Sequence, residues 1–231
     1  IADKLAPEAA ETLAAKGVTV LDRAGIEGAD LIAAIAEADG LIVRSRTRVT
    51  AELLAAAPKL KAVARAGVGV DSIDLAAAEA HGVAVVNTPT STSLAVAEHT
   101  LALMLSLLRG IPRADAAMKA GGWPKKDLMG AELAGKTLGV IGVGNIGRLV
   151  AERAAAFGMR AVGYDPYLDA DALQQRGTQS VSLDELYAQA DVITLHMPLT
   201  AETRGMLGAE AMAKMRPGVY LVCAARGGVI D

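Results

Sequence analysis

The sequence predicts an α/β fold in which parallel strands alternate with helices. Short apolar runs alternate with alanine-rich helical stretches along the whole chain, the pattern of parallel βαβ units. A glycine-rich turn also joins one apolar run directly to a helix, at residues 138–158. The proline- and hydroxyl-rich stretch "VVNTPTSTS" interrupts this alternation, so we place a domain boundary near Pro89 and predict domains of residues 1–89 and 90–231.

The first domain is predicted to hold four short strands and the helices between them. The strands are expected at 19–21, 41–43, 62–64 and 84–86, with helices at 51–57 and 72–81. Past the boundary, "SLAVAEHTLALMLSLLRG" predicts one long helix. This helix is apolar nearly all round, which indicates burial.

The second domain is predicted to hold four strands, at 138–141, 161–164, 192–196 and 219–223. A doubly wound dinucleotide fold has about six, so we expect this domain to be incomplete and the sequence to be the middle of a longer chain. The run 219–225 reads as a strand buried on both faces, and Arg226 follows it where a loop begins at Gly227 and Gly228. Ligands of α/β proteins bind at that end of the strands.

Composition narrows the classes of protein. No apolar run approaches the ~18 to 20 residues that span a bilayer, and the opening "IADKLAPEAA" does not resemble a signal peptide, so we expect a soluble protein without a membrane partner. Cys223 is the single cysteine, which favours a reduced, cytoplasmic setting without disulfides, and a chain of this size needs no structural metal. The net charge is −3 and the basic residues are dispersed, which argues against nucleic-acid binding.

The glycine turn carries the clearest chemical signal. Gly142, Gly144 and Gly147 follow an apolar run and open a helix, the spacing of a dinucleotide-binding turn. Asp165 comes about 20 residues later, where this fold places an acid for the ribose hydroxyls, and its charge favours NAD over NADP. The alternatives are an ordinary strand–turn–helix corner for the glycines and an Asp-Pro turn for Asp165.

Three stretches resemble a known family: "VARAGVGVDSIDLAAAEAHGVAVVNTPTSTSLAVAEHT", "GKTLGVIGVGNIGR" and "AARGGVID". They look like the D-2-hydroxyacid dehydrogenases, specifically the D-3-phosphoglycerate dehydrogenase branch, over nearly all 231 residues. The resemblance implies two Rossmann-like domains around a cleft, a flavodoxin-like substrate domain and a dinucleotide-binding domain. It implies NAD-dependent oxidation of 3-phosphoglycerate to 3-phosphohydroxypyruvate, the first step of serine biosynthesis.

The resemblance also implies the substrate-binding residues. Arg226 matches the catalytic arginine that holds the substrate carboxylate and carbonyl. The stretches "VRSR" and "RAGV" lie near the substrate in the family, which implicates Arg44, Ser45, Arg65 and Gly67. Lys125 aligns with a basic residue near the phosphate, although it could equally be a solvated lysine.

For NAD, the resemblance places Asn145 and Ile146 on the pyrophosphate and Asp165 on the adenosine ribose. The remaining cofactor contacts it implies are Val68 beside the nicotinamide, Met197 near the adenine-side loop, and Ala224, Ala225 and Arg226 at the carboxamide pocket. Many relatives have threonine at the position of Val68 and asparagine at that of Cys223. Both departures remove a polar side chain from these contacts.

Oxidation of an alcohol also needs a group that takes the proton. His81, His99 and His196 are interpreted as structural, because none stands in the family's Pro-His motif. The acid–base histidine and its glutamate are therefore expected beyond Asp231, and a chain of these 231 residues alone is expected to be inactive.

Two other functions stay open. One is the same chemistry on an unphosphorylated D-2-hydroxyacid of the glyoxylate or hydroxypyruvate type, and the other is an NAD-sensing interaction protein. The apolar helix after Ser93 and the loop around Trp123 resemble the family's dimer contacts, so a homodimer or homotetramer is expected, although Trp123 could serve packing alone.

Overall fold

The computed structural model describes residues 1–231, which form two compact units, Ile1–Thr92 and Ser93–Asp231. Each unit contains one sheet in which every strand pairs in parallel with its neighbours. The class predicted from the alternating pattern, α/β with parallel sheets, is confirmed. Pro89, the predicted boundary, lies shortly before the division.

The first unit is built on a three-stranded sheet in the order β1-β2-β3. Its elements are α1 (Glu8–Ala15), α2 (Gly28–Ala36), β1 (Gly40–Val43), α3 (Ala51–Ala55), β2 (Ala62–Arg65), α4 (Leu75–Ala80) and β3 (Ala84–Asn87). Two side chains start helices by accepting a backbone N–H bond: Thr50 from Leu53 and Asp74 from Ala77. The strands, helices and adjoining turns contribute apolar side chains to one core, among them Val43, Leu54, Val63 and Ile73.

The strand predicted at 19–21 is wrong. These residues have no strand structure, and Val18 and Leu21 are exposed. The backbone nitrogen of Ile1 donates to the carbonyl of Leu21 at 2.8 Å and the carbonyl of Ile1 accepts from Arg23 at 3.0 Å, so the segment contacts the start of the chain without forming a regular strand. A short β-prone run with so few pairing bonds stays irregular, because strand preference depends on its neighbours.

The second unit is built on a five-stranded sheet in the order β6-β5-β4-β7-β8. Its strands are β4 (Thr137–Ile141), β5 (Arg160–Tyr164), β6 (Gln179–Ser180), β7 (Val192–Leu195) and β8 (Tyr220–Cys223). Its helices are α5 (Ser93–Arg109), α6 (Ile111–Lys119), a 3₁₀ turn (Lys125–Leu128), α7 (Asn145–Ala156), α8 (Ala170–Gln175), α9 (Leu183–Gln189) and α10 (Ala209–Ala213). The prediction of four strands missed β6, a polar, exposed edge strand without an apolar pattern.

Two burial predictions were also wrong. The long helix α5 buries only one face, with Ala97, Leu101 and Met104 in the core, because it packs against α7 and β8 on that side only. Strand β8 is only partly buried, and Cys223 with it, because β8 is an edge strand paired with β7 alone.

No single helix has the length and hydropathy to cross a membrane. Helices α5 and α6 have the necessary length and hydropathy only when they are taken together, and their axes are bent by 66° relative to each other.

Candidate functional site

The turn between β4 and α7 requires glycine at two positions for reasons of packing. Gly142 has a φ of +87°, and a Cβ there would lie 2.9 Å from the carbonyl carbon of His196. A Cβ on Gly147 would lie 2.1 Å from the carbonyl oxygen of Gly142. The first glycine therefore permits the turn against the end of β7, and the other lets helix α7 approach the strand.

Gly144 has a different role. It is the N-cap of α7, and a Cβ on it would meet nothing within 4 Å, so internal packing does not require glycine here. Asn145 and Ile146 form the first turn of α7, where backbone N–H groups have no partner within the helix. The open space beside exposed donors at the positive end of a helix fits the approach of an anion such as a pyrophosphate.

Asp165 follows β5 and is tied to the same turn. Its Oδ2 accepts from the backbone N–H of Val143 at 2.9 Å, and its Oδ1 accepts from that of Tyr167 at 3.0 Å. A carboxylate oxygen has further lone pairs, so both can still accept a hydroxyl donor. Sequence reasoning missed Arg176, whose Nη1 donates to the carbonyl of Val143 at 2.7 Å and so brings a cation to the same residue.

The end of β8 borders a cavity of about 530 Å³ within the second unit. The segment that follows the strand lines it, together with side chains of α5: Cys223, Ala224, Ala225, Arg226, Gly227, Gly228, Ile230, Val96, His99 and Leu103. Arg226 is half-buried, and its Nη1 donates to the carbonyl of Ala225 at 2.8 Å. The residues 224–226, which were predicted to act with the cofactor, thus line a cavity large enough for a small ligand.

Met197 lies next to the glycine turn, where its backbone nitrogen would be 3.1 Å from a Cβ on Gly142. It is half-buried and follows β7 at the carboxyl end of the sheet. The carboxyl ends of β4, β5, β7 and β8 therefore present the predicted cofactor residues of this unit at one edge, as expected for parallel strands.

The three histidines lie in different surroundings. His196 is largely buried, which lowers its pKa to about 4 and keeps it neutral, and its Nε2 lies 2.9 Å from Thr194 Oγ1. His81 is exposed at the end of α4. His99 is exposed on α5 and lines the same cavity as Arg226, a position that its apolar sequence context did not indicate.

In the first unit, the predicted substrate residues gather at the carboxyl edge of the sheet. Arg44 and Ser45 follow β1, and Gly67 follows β2. Arg65 Nε donates to the carbonyl of Arg44 at 3.2 Å, and a Cβ on Gly67 would lie 2.5 Å from Arg65 Nη1. Glycine at 67 therefore makes room for the guanidinium of Arg65. Val68 is held next to them, since its carbonyl accepts from Asn87 Nδ2 at 2.6 Å.

A second cavity, of about 300 Å³, lies at this edge. Its lining comprises Asp3, Lys4, Ala24, Gly25, Arg44, Ser45 and Arg46. Arg44 Nη1 donates to the carbonyl of Lys4 at 3.4 Å. Sequence reasoning missed Lys4, because it stands far from Arg44 in the chain and carries no motif.

Arg46 is engaged within the fold. Its guanidinium donates to the carbonyls of Ala2 at 3.0 Å, Ile26 at 3.2 Å and Gly25 at 3.3 Å. It also pairs with Glu27, and its Nε lies 3.4 Å from Asp3 Oδ1. These bonds occupy most of its donors, so Arg44 and Lys4 are the cations better placed to meet a ligand here. Lys125 lies apart from them in the chain, exposed in the 3₁₀ turn of the second unit.

Residues 101–231 match the family model described as "D-isomer specific 2-hydroxyacid dehydrogenase, NAD binding domain". The chain is 53% identical over 234 aligned residues to a D-3-phosphoglycerate dehydrogenase of Mycobacterium tuberculosis, covering all of this chain and 44% of that relative. It also resembles a solved structure of Aquifex aeolicus D-lactate dehydrogenase with NAD and lactic acid (TM-score 0.84, 34% identity, 98% and 69% coverage). A glyoxylate reductase from Paecilomyes thermophila is similar as well (TM-score 0.89, 32% identity, 99% and 73% coverage).

Proposed function

Because the chain belongs to the D-isomer-specific 2-hydroxyacid dehydrogenase family, we propose that the protein oxidises 3-phosphoglycerate to 3-phosphohydroxypyruvate with NAD, the first step of serine biosynthesis. The observation that carries this proposal is the 53% identity to a phosphoglycerate dehydrogenase along the whole chain. The chain spans less than half of that relative's length, so the activity is proposed for the full-length protein.

The second unit holds the cofactor in this proposal. The first amides of α7 and the open space at Gly144 receive the pyrophosphate, and Asp165 accepts the hydroxyls of the adenosine ribose. Ala224 and Ala225 line the cavity that receives the nicotinamide end. NAD supplies the hydride acceptor, and the residues of this unit bind and orient it.

Arg226 binds the carboxylate and the adjacent oxygen of the substrate. A guanidinium can donate two parallel hydrogen bonds to a carboxylate, each contributing roughly 1.5 to 3 kcal/mol. Its place in the loop that follows β8, in the lining of the cavity, supports this role.

The first unit supplies the groups that recognise the phosphate. Arg44, Ser45 and Lys4 line one cavity and offer two positive charges and a hydroxyl to an anion, while Arg65 supports the carbonyl of Arg44. Lys125 is a further candidate for the phosphate on the resemblance alone. This density of positive charge favours a substrate with two anionic groups over one that carries a carboxylate only.

The direct test is the forward reaction. Full-length protein incubated with NAD and 3-phosphoglycerate should produce NADH and a keto acid that reacts with a hydrazine, in equal amounts. Arg226→Ala serves as the matched inactive variant. Formation of NADH from D-glycerate or glycolate but none from 3-phosphoglycerate would refute the assignment of substrate and leave the family in place.

An unphosphorylated D-2-hydroxyacid is the second candidate substrate. Structural similarity to a glyoxylate reductase and to a D-lactate dehydrogenase complexed with NAD and lactic acid supports it. Arginine at 226 suits either class, so only a comparison of substrates separates the two functions.

We also propose that the protein is a homodimer or homotetramer. Helix α5 exposes Leu94, Leu103 and Leu107 (48%, 38% and 48%), and Trp123 is 75% exposed. Large exposed apolar side chains that cluster on a surface are typical of association sites. Light scattering after gel filtration should give a mass of two or four chains, and Leu107→Glu, which lies outside the cavity lining, should lower it.

A further inference from the structure

The loop that carries Arg44 and Ser45 is held by one buried carboxylate. Asp3 is 3% exposed, and its oxygens accept from the backbone N–H groups of Arg44 at 2.6 Å, Arg46 at 3.3 Å and Thr47 at 3.2 Å. The hydroxyl of Thr47 donates to Oδ1 at 2.6 Å as well. Four donors of a four-residue segment therefore meet one side chain from a distant part of the chain.

Other contacts of this segment are made by the side chain of Arg46, which bonds to Ala2, Gly25 and Ile26, and by the carbonyl of Arg44, which accepts from Arg65. The sheet ladder of β1 ends at Val43, and the next backbone amide that donates to another backbone group is that of Val49, which bonds to the carbonyl of Ser72 at 2.7 Å. Between these residues, the backbone amides of Arg44, Arg46 and Thr47 all donate to Asp3. Asp3 is therefore the acceptor that orients the backbone amides of this loop.

The carboxylate is charged. Burial raises the pKa of Asp3, but hydrogen bonds from the Thr47 hydroxyl and from the backbone of Arg44, Thr47 and Arg46 outweigh burial and lower the pKa below its usual value. The Nε of Arg46 adds a positive charge 3.4 Å from Oδ1. An anion surrounded by donors in this way forms stronger bonds than a neutral acceptor.

We propose that Asp3 is the positioning residue of the substrate site in the first unit. It lines the same cavity as the loop, and by accepting from the amides on both sides of Ser45 it sets where Ser45 and the side chain of Arg44 stand there. This inference rests on the proposed function, in which Arg44 and Ser45 bind the substrate anion.

Asparagine has nearly the same shape as aspartate but cannot accept the same set of hydrogen bonds. Its single carboxamide oxygen can replace only one of the two acceptors, and its NH₂ group would face the N–H groups that the other oxygen now satisfies. The charge is lost too, which weakens every bond that remains. Asp3→Asn should therefore disturb the loop while it keeps the volume of the side chain.

The test compares Asp3→Asn with wild type in the full-length enzyme. We expect the KM for 3-phosphohydroxypyruvate to rise by about tenfold or more, because buried amides lose their acceptor, while the KM for NADH and kcat stay within about twofold. Asp39→Asn is the matched control, since that exposed carboxylate pairs only with Lys61 and should leave all three parameters unchanged.

Thr47→Val is a milder second variant in case Asp3→Asn does not fold. It removes one donor to Oδ1 and should raise the same KM in the same direction by a smaller factor. An unchanged substrate KM in the folded variants, or an equal rise in the KM values of substrate and NADH, would overturn the inference and indicate a general structural role.

Failure of the proposed function gives a different result. If wild type prefers hydroxypyruvate, the substrate assignment is wrong, yet a selective rise in the KM for hydroxypyruvate in Asp3→Asn still supports the positioning role. If wild type prefers the phosphorylated keto acid and Asp3→Asn keeps its KM, the substrate assignment stands and the inference about Asp3 fails.

Discussion

The carboxylate of Asp165 accepts a hydrogen bond from the backbone amide of Val143, with 2.9 Å between Oδ2 and the nitrogen. The bond joins the end of β5 to the glycine turn after β4, so a negative charge is fixed beside the start of α7. Arg176 donates to the carbonyl of the same residue at 2.7 Å. The predicted ribose acid and a cation that could meet a phosphate are thus anchored to one residue.

This arrangement predicts how cofactor choice responds to mutation. Asp165→Ser removes the charge that repels a 2′-phosphate and leaves Arg176 in place, so the ratio of kcat/KM for NADPH to that for NADH should rise by about tenfold or more. Asp184→Ser, at an exposed carboxylate on α9, is the control. A ratio that does not move in Asp165→Ser would contradict the role given to Asp165.

Substitutions of two glycines in the turn should have different effects, one on stability and the other on cofactor binding. Gly147→Ala places a Cβ against the carbonyl of Gly142, so it should destabilise the fold by about 1 to 3 kcal/mol or more. Gly144→Ala meets no internal atom, so the melting temperature should hold while the Kd for NADH rises. Thermal unfolding and NADH titration of both variants separate the effects. A stable Gly147→Ala that binds NADH normally would contradict the packing argument.

Arg226→Lys tests the geometry of the substrate contact, because it keeps the charge and removes the planar pair of donors. We expect kcat/KM for the hydroxyacid to fall by about 10- to 100-fold, which corresponds to the loss of one charge-assisted hydrogen bond. The Kd for NADH should change little. Arg216→Lys, at an exposed arginine paired with Asp191, is the matched control and should keep full activity.

The buried histidine predicts a pH dependence of stability. The pKa of His196 is lowered from 6.5 to about 4 in the folded protein, so between these values the unfolded chain binds a proton that the folded chain does not. Stability should therefore fall as pH falls from 6.5 towards 4, by roughly 3 kcal/mol in total from this group. In His196→Asn, the free energy of unfolding should therefore depend less steeply on pH between 4 and 6.5 than it does in wild type. Equal slopes in variant and wild type over this range would contradict the assignment.

The sequence predicted the parts of the fold that are encoded locally. Apolar runs at 41–43 and 138–141 and the glycine spacing from Gly142 to Gly147 each carry their own pattern, and the structure contains the corresponding elements. The prediction of a strand at 19–21 was wrong and β6 was missed, because strand formation at both places depends on whether a neighbouring strand is present.

Parts of the candidate site could not be predicted because they join distant segments. Asp3 meets Arg44 across 41 positions of the chain, and no periodicity links them. The guanidinium of Arg46 bonds to the carbonyls of Ala2 and Ile26, and these contacts likewise join segments that are far apart in the sequence. The exposure of one face of α5 could not be predicted for a similar reason, because apolar composition alone does not show which face of a helix packs against another element.

Our central proposal is that the full-length protein is an NAD-dependent dehydrogenase whose substrate is a phosphorylated hydroxyacid. The measurement that tests it most directly is kcat/KM for NADH oxidation with 3-phosphohydroxypyruvate and with hydroxypyruvate, under the same conditions. We expect a preference of at least about 100-fold for the phosphorylated keto acid, because its phosphate gives the cations Arg44 and Lys4 a partner. Equal or reversed preference would contradict it.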